Sequence, residues 1–524
     1  MASEGGGRWR GLRNVAILLI VWEIVGRLRL VADGALPSVS GILLRLYADL
    51  GDYPPHVLAT LYGSSLGFVI GNFLGIAAGV VFVLSPTTLR LFRGVNIAIF
   101  ALPPIAIAPI LTLTLSGMAP RVTLAALGVY FVTMTATVVG LSQADDRVAD
   151  VIRAYGGGKW QIMRRVRLRG AVPSILAGLR VAAPNAVLGA ILAEFGGGGR
   201  WGLGAYLLGS LGRGEPDRLW GIGLVATAIA GASYLVFALL SNRFLGTTRA
   251  VSLSTAAPGP AGGRSESRPA RILIALGAVT LPFLMWWAFI ATTGAPALIS
   301  KTPFGVFDYL FLSRAADAAQ SRLLGAMAET LPITAVGIGA GLAFAFLLAI
   351  SARLFPGFVR GFMPVALVTQ TMPLVALTPL LVLILGRGTS LTLWVTISVT
   401  FFPAFVTLAQ GLALVPRAAL ELPRAYGAST WTEMRMVTIP AALPYLFAAT
   451  RLTVPRALLG VIIAEWLATG KGLGNLLNQS RGYLDYGMIW SVAAVSVLLS
   501  VAFYQLVVIV ERRTLGRLGM PTAE

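Results

Sequence analysis

Two fifteen-residue stretches carry the side chains best suited to do work. Ala154–Leu168 reads AYGGGKWQIMRRVRL and Ala425–Ile439 reads AYGASTWTEMRMVTI. Seven of the fifteen positions agree without a gap, at an offset of 271. Each stretch follows an acid (Asp150, Glu421) and holds Ala-Tyr-Gly (Ala154, Tyr155, Gly156; Ala425, Tyr426, Gly427). Each continues through a tryptophan (Trp160, Trp431) to a Met-Arg pair (Met163-Arg164, Met434-Arg435). The chemistry open to such a set is docking. Trp and Met suit an apolar anchor, Gly admits a partner backbone, and the charges add rim salt bridges worth under about 1 kcal/mol each.

Bond-making chemistry has little to work with. The chain has no Cys and a single His, His56, so thiolate or His-based metal clusters are not expected. No G-x4-G-K-[ST] phosphate loop occurs, so ATP hydrolysis must come from a partner or be replaced by an ion gradient.

The elements that carry the two stretches are set by composition. Of 524 residues, 56% are hydrophobic and only 12% charged, about half the usual fraction of roughly 25% in soluble domains. A water-soluble enzyme is excluded. Apolar runs long enough to cross a hydrocarbon core of about 30 Å recur along the chain, which predicts an all-α polytopic membrane protein. Six spans are expected in each half. They lie near 14–30, 57–83, 92–115, 121–142, 172–195 and 219–241, then near 272–291, 326–350, 361–385, 390–412, 441–466 and 489–510. The first is interrupted by Glu23, and no small-residue cleavage site follows it, so it is read as a retained span.

The internal register extends well beyond the two stretches. Pro173, Arg180, Pro184 and Glu194 correspond to Pro444, Arg451, Pro455 and Glu465 at the same offset of 271. Upstream, at 270, Thr60-Leu61, Pro103 and Pro109 fall on Thr330-Leu331, Pro373 and Pro379. Residues 247–271 are rich in Ser, Pro, Gly and Arg and read as a flexible linker between a first domain (1–246) and a second (272–524). The net charge of +20 follows the positive-inside rule, and no nucleic acid is needed to explain it. With both termini in the cytoplasm, the cytoplasmic segments hold 25 of the 41 basic residues.

Both stretches then fall between spans four and five, where helical spacing and the interrupting glycine predict a short helix, a turn and a second short helix. One copy alone reads equally well as an amphipathic helix on lipid, whereas two matched copies favour a two-fold symmetric partner. The residues from Asp150 to Arg169 and from Glu421 to Pro440 resemble the EAA loop of binding-protein-dependent ABC importer permeases. That motif runs Glu-Ala-Ala, three residues, Gly, nine residues, then Ile-x-Leu-Pro. The second copy keeps Glu421, Gly427 and Pro440, with Leu422-Pro423 for Ala-Ala; the first has Asp150, Val151-Ile152 and, for the final Pro, Arg169. Glu194…Gly202-Leu203-Gly204 and Glu465…Gly472-Leu473-Gly474 resemble the end of the fifth span in the sulfonate, taurine, nitrate and pyrimidine-precursor branch.

The resemblance covers about 45–245 and 315–512 and implies two tandem six-helix type I permease domains in one chain, about twelve spans in the plasma (inner) membrane. It implies a non-enzymatic import pathway with alternating access for a small solute, an anion such as a sulfonate, taurine or nitrate, with pyrimidine precursors equally within the branch. The implied partners are two cytoplasmic ABC ATPase subunits, expected as a homodimer, and an extracytoplasmic binding protein. ATP and Mg would be held by the ATPases, and this chain would carry no cofactor. The alternative is a secondary transporter of 6+6 helices driven by an ion gradient, which calls for coupling acids deep in the spans and gives no reason for paired cytoplasmic segments.

Ionisable and polar groups inside spans are the remaining candidates. Arg180 and Arg451 either line an anion pathway, snorkel to headgroups or pair within the bundle; Arg456, with Asn185 at the equivalent position, lies deeper. Glu194 and Glu465 either touch the binding protein or gate, or hold the Gly-rich loop behind them. Gln370, whose counterpart is Phe100, is the candidate polar contact of the third span. The Pro pairs there predict kinked helices that free carbonyls toward a cavity or serve packing. His56 and the Trp286-Trp287 pair carry no specific signal, the tryptophans reading as an interfacial belt.

Overall fold

The computed structural model describes residues 4–197, 199–245, 267–355 and 374–520. Among these residues every regular element is helical. Nine helices are long and apolar enough to cross a membrane. They are Tyr53–Leu84, Ala119–Ser142, Lys159–Phe195, Pro216–Ser241, Arg268–Thr293, Ala316–Leu354, Thr389–Ala413, Leu443–Thr469 and Tyr486–Arg517. They coincide with nine of the expected spans. The third span of the first half is a bent pair, Arg93–Ala101 and Pro104–Thr114. Its counterpart is described only over Leu374–Leu385, so Gln370, Pro373 and most of the expected linker lie outside the described residues.

The expected kink of the first-half third span is a sharp bend. The two pieces diverge by 100° at the Leu102-Pro103-Pro104 step. Leu102 and Pro103 are extended, with ψ of 119° and 109°, as a residue before proline prefers. Pro109 sits inside the second piece without ending it. The Glu4–Arg27 helix, where the first span was expected, is not among the nine. Glu23 faces the chain there, accepting from the Ser40 N–H at 2.9 Å and the Ser40 hydroxyl at 2.6 Å.

Small residues let the spans meet backbone to backbone. Gly63, Gly67, Gly71, Gly75 and Gly79 recur every fourth position on Tyr53–Leu84 and face the Ala119–Ser142 helix. A methyl on Gly71 would stand 2.6 Å from the Ala126 carbonyl. The second half does the same with Gly337 and Gly341, seated on Thr396 and Thr400.

The halves share one apolar core, which joins Leu124, Phe195 and Leu203 to Leu380, Leu458 and Leu473. The Arg268–Thr293 helix of the second half packs on Pro86–Leu91 and Arg93–Ala101 of the first, with Gly94 against the Ala278 carbonyl. Trp286 is part of a repeated clasp, which a headgroup belt does not explain. Trp22 meets Trp220 at 5.3 Å and donates to the Pro37 carbonyl; Trp286 meets Trp490 at 5.6 Å and donates to the Lys301 carbonyl. Each clasp ties the first helix of its half to the sixth expected span.

Candidate coupling segments and pathway

In the first half the polar segment opens with helix Asp146–Ala154, capped by the Asp145 carboxylate accepting from the Arg147 N–H. It ends at Gly156, φ +78°, with Gly157 N–H bonded to the Ile152 carbonyl and Gly156 N–H to the Arg153 carbonyl. The second half repeats this turn after Arg417–Ala425, with Gly427 at φ +74° and Ala428 N–H on the Pro423 carbonyl. Left-handed backbone at this position is the reason for glycine. A side-chain carbon there would meet nothing within 4 Å in either copy.

The expected second short helix is not a separate element. Lys159–Ile162 runs through a π turn, Met163–Arg167, straight into Leu168–Phe195. Thr430–Glu433 runs through the matching π turn Met434–Thr438 and breaks only at Ala442. The break falls between Pro440 and Pro444; the first copy has Arg169 in place of Pro440 and continues. Each segment is therefore joined to its fifth span.

The structure divides the docking set in two. Tyr155 and Tyr426 are 90% and 86% exposed, Trp160 and Trp431 61% and 55%. Asp150, Ala154, Arg164, Glu421, Ala425 and Arg435 are exposed as well, and Asp150 pairs with Arg153. Met163 and Met434 point the other way and are buried within the chain, so they anchor the segment to its own domain. A partner could meet only the Tyr–Trp face.

The two anchors differ. In the first copy Met163 packs with Leu141 and Ala171, flanked by Val80, Val83 and Leu84 from the second span. In the second copy Glu433 occupies the position of Ile162 and Arg353 that of Val83. Arg424 donates to Glu433 at 2.7 Å and Arg353 at 3.2 Å, while Arg353 also donates to the Leu412 carbonyl at 2.9 Å. Glu433 is itself buried, and the Arg424 hydrogen bond, outweighing the desolvation, holds its carboxyl below the usual carboxylate range. No repeat signal could reveal this ionic anchor, because it exists in one copy.

At the far end of the fifth spans the repeat is close. The Thr60 hydroxyl donates to Glu194 at 2.8 Å and accepts from the Leu203 N–H at 2.9 Å, while the Gly204 N–H reaches Glu194 at 2.8 Å. Thr330, Glu465, Leu473 and Gly474 repeat this at 2.8, 2.9 and 2.9 Å. Both carboxylates are sealed from solvent and hold the Gly-Leu-Gly loop. A side chain on Gly202 or Gly472, both at positive φ, would collide with the carboxylate. Surroundings differ: His56 Nδ1 lies 3.1 Å from the Gly202 N and Arg121 3.8 Å from Glu194, whereas Glu329 accepts from the Gly472 N–H at 2.8 Å.

The span arginines separate. Arg180 lies over the Tyr234 ring at 4.3 Å, and Arg451 pairs with buried Glu511 at 3.2 Å. Arg456 is exposed, with no ion-pair or hydrogen-bond partner among the described residues.

Twofold repetition of a helical membrane unit, with an exposed segment ahead of the fifth expected span of each copy, defines a tandem membrane permease. Residues 71–247 and 324–516, well over half of the chain, match the model of binding-protein-dependent transport system inner membrane components, and the chain belongs to that family. It is similar to the riboflavin transport system permease protein RibX of Chloroflexus aurantiacus, 31% identical over 28% of this chain and 56% of the relative. It is also similar to the putative aliphatic sulfonates transport permease protein SsuC of Bacillus subtilis, 26% identical over 46% of this chain and 87% of the relative. The formylaminopyrimidine transport permease protein ThiX of Halalkalibacterium halodurans is 30% identical over 36% and 76%.

Proposed function

We propose that this chain supplies both membrane-spanning halves of an ABC importer. Two cytoplasmic ATPase subunits hold ATP and Mg and dock on the Tyr155–Trp160 and Tyr426–Trp431 faces. An extracytoplasmic binding protein delivers the solute to the opposite side, where the Glu194 and Glu465 loops stand. Both termini are then cytoplasmic. Closure of the ATPases draws the two segments together, and because each is joined to its fifth span the movement reaches the pathway. The cargo is a small anion of the sulfonate, taurine or nitrate kind, in keeping with the exposed Arg456 inside the fifth span of the second half and with one relative named for aliphatic sulfonates.

The observation that carries this reading is the pair of exposed aromatic faces at equivalent positions, each on a buried Met anchor. The test is isolation of the chain from its native membrane in mild detergent. An ATPase should come with it and be lost from a Trp160→Ala, Trp431→Ala variant. Labelling of Trp160→Cys from outside intact cells would reverse the topology and sink the proposal.

A further inference from the structure

The fifth spans each leave one face open. From Arg451 to Ala464 every residue is buried except Leu452, Arg456 and Leu459. From Val181 to Phe195 the exceptions are Val181, Pro184, Asn185 and Leu188. Offset by 271, three of the four match the other set: Val181 with Leu452, Asn185 with Arg456, Leu188 with Leu459, while Pro455 opposite Pro184 is buried. Spacing of four and then three residues puts each set on one side of its helix.

A charged side chain at that depth argues against lipid on that side. The Leu443–Ala464 helix is packed by Ala316–Leu354, Thr389–Ala413 and Tyr486–Arg517 of its own half and by Pro104–Thr114 of the other. The Leu168–Phe195 helix is packed by Tyr53–Leu84, Ala119–Ser142 and Pro216–Leu245, and also by Leu374–Leu385 of the second half. Arg456 sits midway along the run Leu443–Thr469, about 20 Å of helix from either end. No side chain there reaches a headgroup across a hydrocarbon half-thickness of about 15 Å, and an uncompensated arginine in hydrocarbon is expensive. Its exposure therefore opens onto an aqueous space inside the molecule.

The charge in that space is not cancelled locally. Arg451, a turn and a half away, is neutralised by Glu511, and Arg180 is committed to Tyr234. Neither open face carries an acid. We propose that Arg456, together with the amide of Asn185 at the equivalent position, forms an anion-selective station midway along the pathway. It receives the oxyanion group of the cargo, deepening and resting on the permease reading above. A guanidinium offers paired donors that match a sulfonate, carboxylate or nitrate, and an amide completes the set as donor or acceptor. One cation rather than two gives a site that attracts a monoanion yet releases it, as a conducting pathway requires. The cargo is thus held off the pseudo-two-fold axis, with its acidic end toward the second half.

The absence of Cys makes the test direct, because one introduced thiol is the only one in the chain. Asn185→Cys in the purified full chain, reconstituted in nanodiscs without any partner, is reacted with the anionic sulfonatoethyl methanethiosulfonate and its cationic trimethylammonium counterpart. The anionic reagent should react faster, and adding Arg456→Gln should lower the anionic-to-cationic rate ratio about fivefold or more, with Arg456→Lys preserving it. Buried Ala457→Cys should stay unreactive. If Arg456→Gln does not yield a monodisperse protein, the ratio at Asn185→Cys with Arg456 intact should still fall as salt is raised from 0.01 M to 1 M. An unreactive Asn185→Cys, or a ratio indifferent to both charge removal and salt, overturns the proposal. Failure to recover an ATPase would sink the importer reading and leave these rates unchanged, so the two failures are distinct.

Discussion

Arg424 donates to Glu433 at 2.7 Å across the glycine turn of the second coupling segment, and the first segment has an isoleucine, Ile162, where Glu433 stands. Two levers of the same shape are therefore fastened by different forces. The ionic one depends on charge. Because the Glu433 carboxyl titrates below its ordinary range in the folded protein, its contribution is complete above the unfolded value and is lost as pH falls through the lowered one. A nitroxide on Thr430→Cys should gain mobility as pH drops below the ordinary carboxylate range, and also in Glu433→Gln at neutral pH. The same label on Lys159→Cys in the first segment should respond to neither. Since Arg424 is largely exposed, the loss of global stability in Glu433→Gln should stay near about 1 kcal/mol.

Gly156 and Gly427 give the turns their left-handed backbone in open space, so the cost of replacing them is conformational. Gly427→Ala should lower thermal stability by about 1 kcal/mol and Gly427→Asn by less, because Asn tolerates this region. Glutamate at both glycines combines that strain with bulk and charge on the docking face. The Gly156→Glu, Gly427→Glu double variant should hydrolyse ATP with its partners but take up no solute. Wild-type uptake by that variant would refute the docking role of the turns.

How far these features could be read from the sequence depended on whether the repeat carried them. The coupling segments, the fifth-span glutamates and their loops were legible because two copies keep one register. Arg353, Glu433 and Arg424 were not, since the trio joins distant parts of the chain and its first-copy counterparts Val83 and Ile162 are apolar. The tryptophan clasps are not legible for a related reason: Trp22 and Trp286 are 264 residues apart, whereas Trp220 and Trp490 are 270 apart, so one register does not align both. The Met residues read as part of an anchor, but pattern alone could not say whether it gripped a partner or the chain's own core. Only packing resolves which side of a helix a methionine takes.

The pins at the other end of the fifth spans set a stability prediction. Thr330 bridges the Glu465 carboxylate and the Leu473 N–H, both buried, so Thr330→Val removes a donor and an acceptor together. The loss should be about 2–3 kcal/mol, seen as a lower melting temperature in detergent, and Thr330→Ser should restore most of it. Thr60→Val should behave alike. Gly472→Ala should be worse than Thr330→Val, since its methyl collides with the carboxylate at a positive φ of +80°.

The exposed aromatic faces make the converse prediction, an effect on association without an effect on folding. Trp160 and Trp431 contact solvent over more than half their surface, so Trp→Ala at either removes little from the isolated chain, within about 0.5 kcal/mol. A tryptophan seated in a partner's groove is a different matter, because such anchors commonly carry 2 kcal/mol or more of binding. Each single variant should weaken ATPase binding about 30-fold or more at its own segment, measured by surface plasmon resonance on nanodiscs, with melting temperature unchanged. The segments differ in their fastening, so the two variants should diverge at high salt: Trp160→Ala leaves binding to rest on the ionically held second lever and should lose more. Equal losses at low and high salt would mean that the anchor behind each face does not govern how firmly it is presented.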